Sequence, residues 1–303
     1  MSTMGSAFFA LEICNWRYSR VSPKRLLFAI PIWPARASSS MDTSIQFEHR
    51  FLLAQSIGHR DQQQDAGICL CSTNHHTALL VVCDGVGGHI GGDLAAQTVT
   101  RVADEIWELA GGRFADPAAS LHQICWQAHE EINQLAGSAR LAPRATVVAA
   151  YLQPDAVVWL HSGDSRLYHF RGFDLLYQTE DHSVLQLMIK RGLVAADDIR
   201  GHPEQNSLLQ ALGGRDFEEP TEGSADWKPE DGLVLCTDGF WQQTTVTEMS
   251  RLLATPAAEA PAALKKVVQR AVRRNGQSSD NATALIALPD QELPKAGFRL
   301  WGR

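Results

Sequence analysis

The sequence predicts an α+β protein in which two stacked β-sheets are covered on the outside by helices within one domain. Three observations predict it. Short continuous apolar runs of strand length alternate with long amphipathic helical periods. Their order is strands, two helices, more strands, helices, strand, helix, strand. No repeat or low-complexity linker divides the 303 residues, of which 45% are hydrophobic and 20% charged. A chain this long allows about two domains of ~150 residues or one large α/β domain, and the unbroken pattern favours one.

The elements follow in order from about residue 46. Thr77–Cys83 is an apolar run that ends at Asp84-Gly85. Leu94, Thr98, Val102, Ile106 and Leu109 recur at helical spacing, as do Leu121, Ile124, Cys125, Ala128, Ile132 and Leu135, which predicts two long amphipathic helices. Ala145–Leu152, Ala156–His161 and Leu167–Phe170 read as strands, separated by turns at Gln153-Pro154-Asp155 and Gly163-Asp164-Ser165. Shorter helical patterns follow around 182–191 and 195–200. Gly232–Thr237 reads as a buried strand running into Asp238-Gly239. Leu264, Val267, Val268, Ala271 and Val272 mark a last helix, and Ala282–Leu288 a last strand behind Asp280-Asn281.

Residues 1–40 differ from the rest. They carry five basic side chains against one acidic, leaving 22 basic against 33 acidic in the remaining 263. Their apolar stretch Leu26–Trp33 starts late, is short and contains Pro31, so it fits an export signal poorly. The expectation is a disordered extension or a start-site artefact over 1–40, with 41–303 as a single domain opening at Met41. The acidic body is a poor surface for nucleic acid or anionic lipid, but acid-rich folds hold divalent cations. No run of about 20 apolar residues suggests a membrane span. The six cysteines lack a CxxC pair, and Cys69-Leu70-Cys71 with His75-His76 has poor zinc spacing. Reduced thiols in a cytoplasmic protein fit best.

The informative feature is where certain aspartates fall. Asp84 and Asp238 each end a hydrophobic run and precede a glycine, while Asp65 and Asp280 each stand directly before one. Asp-Gly is also a common turn dipeptide. Carboxylates gathered at the end of a buried sheet, however, repel one another and lose solvation unless cations compensate. Oxygen-only ligands point to Mg²⁺ or Mn²⁺ rather than zinc. A glycine after the aspartate lets a backbone carbonyl approach as well. Other chemistries fail by spelling. A dinucleotide fingerprint would need glycine at Ile90, the glycine cluster lacks the Gly-Lys-Ser/Thr of a P-loop, Val82 stands where a DxD hydrolase needs a carboxylate, and no GxSxG is present.

In order, these segments resemble the metal-dependent serine/threonine protein phosphatases of the PPM (type 2C) family, and its bacterial branch in particular. The resemblance covers about residues 50–290. Arg60 to Asp65 looks like the opening Arg-x-x-Asn-x-Asp block, and Asp84-Gly85-Val86-Gly87-Gly88-His89 matches the Asp-Gly-x-Gly-Gly-His block. Gly163-Asp164-Ser165-Arg166-Leu167-Tyr168, Asp181-His182-Ser183, His202-Pro203, Ala211-Leu212-Gly213-Gly214, Thr237-Asp238-Gly239 and Asp280-Asn281-Ala282-Thr283 complete the set.

The resemblance implies a four-layer α-β-β-α sandwich of two mostly antiparallel sheets, with two Mn²⁺ or Mg²⁺ ions at one end. By position, Asp65, Asp84, Asp238 and Asp280 would ligate them with the Gly85 carbonyl, and Asp164 with Asp238 would form a third, weaker metal site. Arg60 would be the catalytic residue that holds the substrate phosphate through forked hydrogen bonds. The implied reaction is direct in-line hydrolysis of phosphoserine and phosphothreonine by a metal-bridging hydroxide, without a phosphoenzyme. Phosphorylated proteins would be the partners, including a bacterial Ser/Thr kinase that the enzyme opposes. A binding module without turnover and a small-phosphoester hydrolase are the alternatives.

The sequence also departs from the family pattern. Val86 stands where some members carry a histidine that could act as general acid, and His89 reads better as a structural part of the glycine turn. The general acid is not legible. Gln63 replaces the usual asparagine, and Arg144-Ala145-Thr146 replaces Gly-Thr-Thr. The region Val184 to Asn206 corresponds to the flap that tunes substrate choice, without naming a substrate.

Overall fold

The computed structural model describes residues 9–13, 50–86, 91–136, 143–195, 202–205, 207–215 and 217–290. Its first sheet joins β1 (Phe9–Ile13), β2 (Phe51–Ser56), β12 (Ala282–Ala287), β11 (Asp231–Cys236), β8 (Arg166–Arg171) and β9 (Asp174–Gln178), in that spatial order. The second joins β10 (Thr221–Asp226), β7 (Ala156–Ser162), β6 (Val147–Leu152), β4 (Thr77–Val86) and β3 (Asp65–Ser72), with the short β5 (Arg144–Ala145) on the end of β4. Every pairing is antiparallel.

Two helices, α1 (Gly92–Leu109) and α2 (Pro117–Ala136), cover the second sheet. On the first sheet lie α5 (Val246–Leu253) and α6 (Ala260–Asn275), with the single-turn α4 (Asp238–Trp241) beside them. Strand β4 shows why the apolar runs are continuous rather than alternating. Leu79, Val81 and Cys83 pack under α1 and α2, whereas Ala78, Leu80 and Val82 meet Phe51, Leu53, Leu233 and Leu285 of the opposite sheet. A strand covered on both faces has no side on which a polar residue could reach water. The layers are therefore α-β-β-α, as the resemblance implies.

Some details differ from expectation. In α1, Leu94 and Leu109 are 47% and 87% exposed, and the buried stripe is Ala95, Ala96, Val99, Val102, Ala103, Ile106 and Trp107. Alanines let this helix lie close to the sheet, so side-chain size alone misplaces its inner face. In α2, Leu135 is likewise exposed. Strands β9 and β10 run along sheet edges with mostly exposed side chains: β10 has no apolar run, and the Leu175-Leu176-Tyr177 run of β9 is exposed rather than buried. The 182–191 pattern becomes α3 (Val184–Lys190), capped by Ser183, whose hydroxyl accepts from Gln186 N at 3.2 Å. The 195–200 pattern lies outside the described residues apart from Ala195. Within 1–40 the described part is β1, an edge strand on β2; the expectation for the remainder lies outside the described residues.

Candidate active site

The strand directions bring the singled-out aspartates to one end of the sandwich. Asp65 opens β3 and is the direct cross-strand partner of Asp84 near the end of β4. Asp238 stands two residues past β11, Asp280 two residues before β12, and Asp164 two residues before β8. The register that pairs Cys236 with both Arg166 and Ala284 places these last three at the same edge.

Asp65 is buried, and one carboxylate oxygen is fully engaged. Its Oδ2 accepts the Thr237 hydroxyl at 2.9 Å and the Thr283 hydroxyl at 2.7 Å, while Thr237 Oγ1 in turn accepts Thr283 N–H at 3.0 Å. The other oxygen, Oδ1, is buried without a hydrogen-bond partner. Burial pushes the Asp65 carboxyl up to about 7 against the pull of both hydroxyls, and Asp238 and Asp280 add repulsion.

Asp238 repeats this arrangement. Its Oδ2 accepts from Gln242 Nε2 at 3.1 Å and its Oδ1 is buried without a partner. Burial first and Asp280 second lift it to about 7, opposed by the Gly239 N–H and Arg60. Asp84 and Asp164 are raised well above the usual carboxylate range, each by burial before any neighbour. Asp238 is the strongest electrostatic neighbour of Asp164, and Asp65 of Asp84.

The backbone under these groups is tightly braced. Asp84 N–H donates to Thr146 Oγ1 at 2.9 Å and its carbonyl accepts Thr146 N–H at 2.8 Å. Gly85 has no room for a side chain: a Cβ there would lie 2.1 Å from the Gly92 carbonyl oxygen. Asn281 ties the loop carrying Arg60 to β12, because its Nδ2 donates to the carbonyls of Ile57 and Gln62 and its Oδ1 accepts Gln64 N–H at 2.7 Å. Arg60 is half-exposed and donates from Nη2 to Asp280 Oδ2 at 2.6 Å. Both line a polar cleft of about 450 Å³ that Asp238, His202, Gln243 and Arg274 also border.

Sequence reasoning overlooked the supports. Thr237, Thr283, Asn281 and Gln242 act from positions far apart in the chain, and only the motif blocks hinted at the first three. Arg166 is a further case. It is forked onto Asp181 at 2.6 and 2.7 Å and lies 3.3 Å from the centre of the Trp241 ring, whose Nε1 donates to the Asp164 carbonyl at 2.9 Å. Val86 borders residues 87–90, and His89 lies outside the described residues.

The donor set fits hard divalent cations. It is all oxygen, it carries five mutually repelling carboxylates, and two of their buried oxygens lack any proton donor. Among the described residues no three His, Cys, Asp or Glu side chains already close on one point as a ready ligand group. The carboxylates instead surround the end of the sandwich. The thiols of Cys69 and Cys71 lie with their sulfurs 3.6 Å apart, and among the described residues they form no metal-ligating group with the neighbouring histidines.

No family model matches the chain. It is 31% identical over 179 residues to the serine/threonine phosphatase stp of Listeria monocytogenes serovar 1/2a, spanning 58% of this chain and 71% of that one. Its fold superposes on the serine/threonine phosphatase of S. agalactiae with a TM-score of 0.68 at 25% identity, covering 78% of this chain and 98% of that structure. The catalytic domain of serine/threonine protein phosphatase PstP, solved in complex with two manganese ions, shares the fold at a TM-score of 0.67 and 23% identity, covering 78% and 96%. With the sandwich, the terminal carboxylates and the neighbouring arginine in place, the chain belongs to the bacterial PPM-type serine/threonine phosphatase family.

Proposed function

We propose that the protein hydrolyses phosphoserine and phosphothreonine in cytoplasmic proteins and opposes a bacterial Ser/Thr kinase. The observation that carries this reading is the pair of buried, unpartnered carboxylate oxygens, Asp65 Oδ1 and Asp238 Oδ1, at the sandwich end that also holds Arg60. Asp65, Asp84, Asp238 and Asp280, with the Gly85 carbonyl, would hold two Mn²⁺ or Mg²⁺ ions, and Asp164 with Asp238 a third. Such ions, when bound, offset the carboxylate repulsion, acidify water and draw charge from the phosphoryl oxygens.

The remaining contributions belong to the chain itself. Arg60 presents a planar, permanently charged fork at the mouth of the cleft, suited to two phosphate oxygens at once. Its present partner, Asp280, holds that fork in place from a braced loop. Thr237 and Thr283 fix the Asp65 carboxylate by one oxygen and so aim the other. The test is phosphate release from a phosphothreonine peptide in Mn²⁺ and then in excess chelator. Turnover that the chelator abolishes is expected; a folded protein without Mn²⁺-dependent release would refute the reading.

A further inference from the structure

The cleft has a second cationic side chain. Besides Arg60, Asp238 and Asp280 it is bordered by Arg274, in the last turn of α6, and by Gln243. Arg274 is held rather than free to swing. Its Nη1 donates to the Gln243 carbonyl at 2.6 Å and to Glu248 Oε2 at 2.8 Å, and its Nη2 donates to Glu248 Oε1 at 2.8 Å. Glu248 is itself fixed as the acidic member of the capping box of α5, and it also accepts from Arg270 at 3.0 Å. Two guanidinium groups thus share one carboxylate, so this cluster of three side chains keeps a net positive charge.

The remaining donors have a definite shape. A guanidinium carries five N–H groups, and these three bonds occupy both on Nη1 and one on Nη2. What remains is Nε–H and the second Nη2–H, which lie side by side along one edge, the spacing that grips a carboxylate with two parallel bonds. The side chain is 42% exposed. We infer that Arg274 is a specificity determinant, binding an aspartate or glutamate that flanks the phosphorylated residue, so that acidic phosphopeptides are the preferred substrates. This rests on the phosphatase reading above: the phosphate sits at Arg60, and the flanking acid reaches Arg274 in the same cleft.

The experiment compares two phosphothreonine peptides, flanked by glutamates or by glutamines, on the full chain in Mn²⁺. For the native protein kcat/KM should favour the glutamate peptide about fivefold, the order expected of a half-exposed ion pair, and the gain should enter through KM. The preference should shrink as salt rises from ~0.05 to ~0.5 M. Arg274→Gln should remove it, and Arg274→Lys, which keeps charge but not the fork, should retain only part. Equal kcat/KM for both peptides in the native protein would overturn the inference. So would an Arg274→Gln variant that lowers both peptides equally, the mark of a mere brace between α5 and α6. If neither peptide is hydrolysed, the phosphatase reading falls and this inference with it.

Discussion

Two aspartates flank the same strand, β11, and the fold treats them in opposite ways. Asp231 opens the strand, fully buried, and every demand of its carboxylate is met. Arg171 donates to both oxygens at 2.7 and 2.9 Å, His169 Nε2 lies at 3.1 Å, and Lys228 N–H donates at 3.0 Å. Burial alone would raise its pKa, yet Arg171, the Lys228 N–H and His169 together hold it below the usual range. Asp238, just past the other end, is buried with one oxygen unpartnered, and its carboxyl rises to about 7. One carboxylate is completed by the chain; the other is left to be completed by something else. The difference separates a structural charge from a functional one without reference to motif.

The sharpest way to break this comparison is to remove the charge at each end. Asp84→Asn and Asp238→Asn should each lower turnover by about a hundredfold to a thousandfold, the scale seen when a preorganised electrostatic group is lost. Neither should lower the melting temperature of the metal-free protein, because a repelled, desolvated carboxylate is replaced by a neutral amide of the same shape. Near-native rates in both variants would contradict the assignment. Asp231→Asn should do the reverse. It leaves Arg171 short of its ionic partner, so chemical denaturation should show a loss of about 3 kcal/mol. The phosphatase rate proposed for the folded protein should stay close to native, and a selective loss of kcat there would erase the distinction between the two ends.

A smaller effect sharpens it further. At the carboxylate end, His161 and His182 stack with ring centres 4.5 Å apart, and His182 Nδ1 accepts the Gly163 N–H at 3.2 Å, which only an unprotonated nitrogen can do. Burial, then His161, holds His182 at about 4, below its ordinary 6.5. The folded state therefore favours the neutral ring. The contribution is complete above pH 6.5 and is lost as pH falls towards 4. Denaturation curves at pH 7 and 4.5 should show the native protein losing about 2 kcal/mol more than His182→Gln. Parallel losses in the two proteins would remove His182 from the account.

The layers were legible because burial on both faces leaves a plain trace: Thr77–Cys83 and Gly232–Cys236 are apolar without interruption. Strands β9 and β10 were not, since edge positions such as Leu176 and Glu222 place no demand on polarity. The α1 stripe was half-misread because Ala95 and Ala103 pack by closeness rather than by size. The aspartates were legible from their position against apolar runs. Their supports were not, because Thr283 reaches Asp65 across 218 positions of chain and Arg166 acts through a ring at 241. Such pairings come from sheet order, which no local window of sequence contains.

Strand β1 has a consequence for any shortened form of the protein. Phe9–Ile13 lies antiparallel along Leu52–Ser56 and occupies the outer side of β2. A chain begun at Met41 would turn that row of N–H and C=O groups towards solvent, next to the apolar Phe51-Leu52-Leu53. An open edge of that kind is a template for another strand, including the same strand of a second molecule. The trimmed protein should therefore self-associate as its concentration rises, while the longer one, carrying its own cover, stays dispersed.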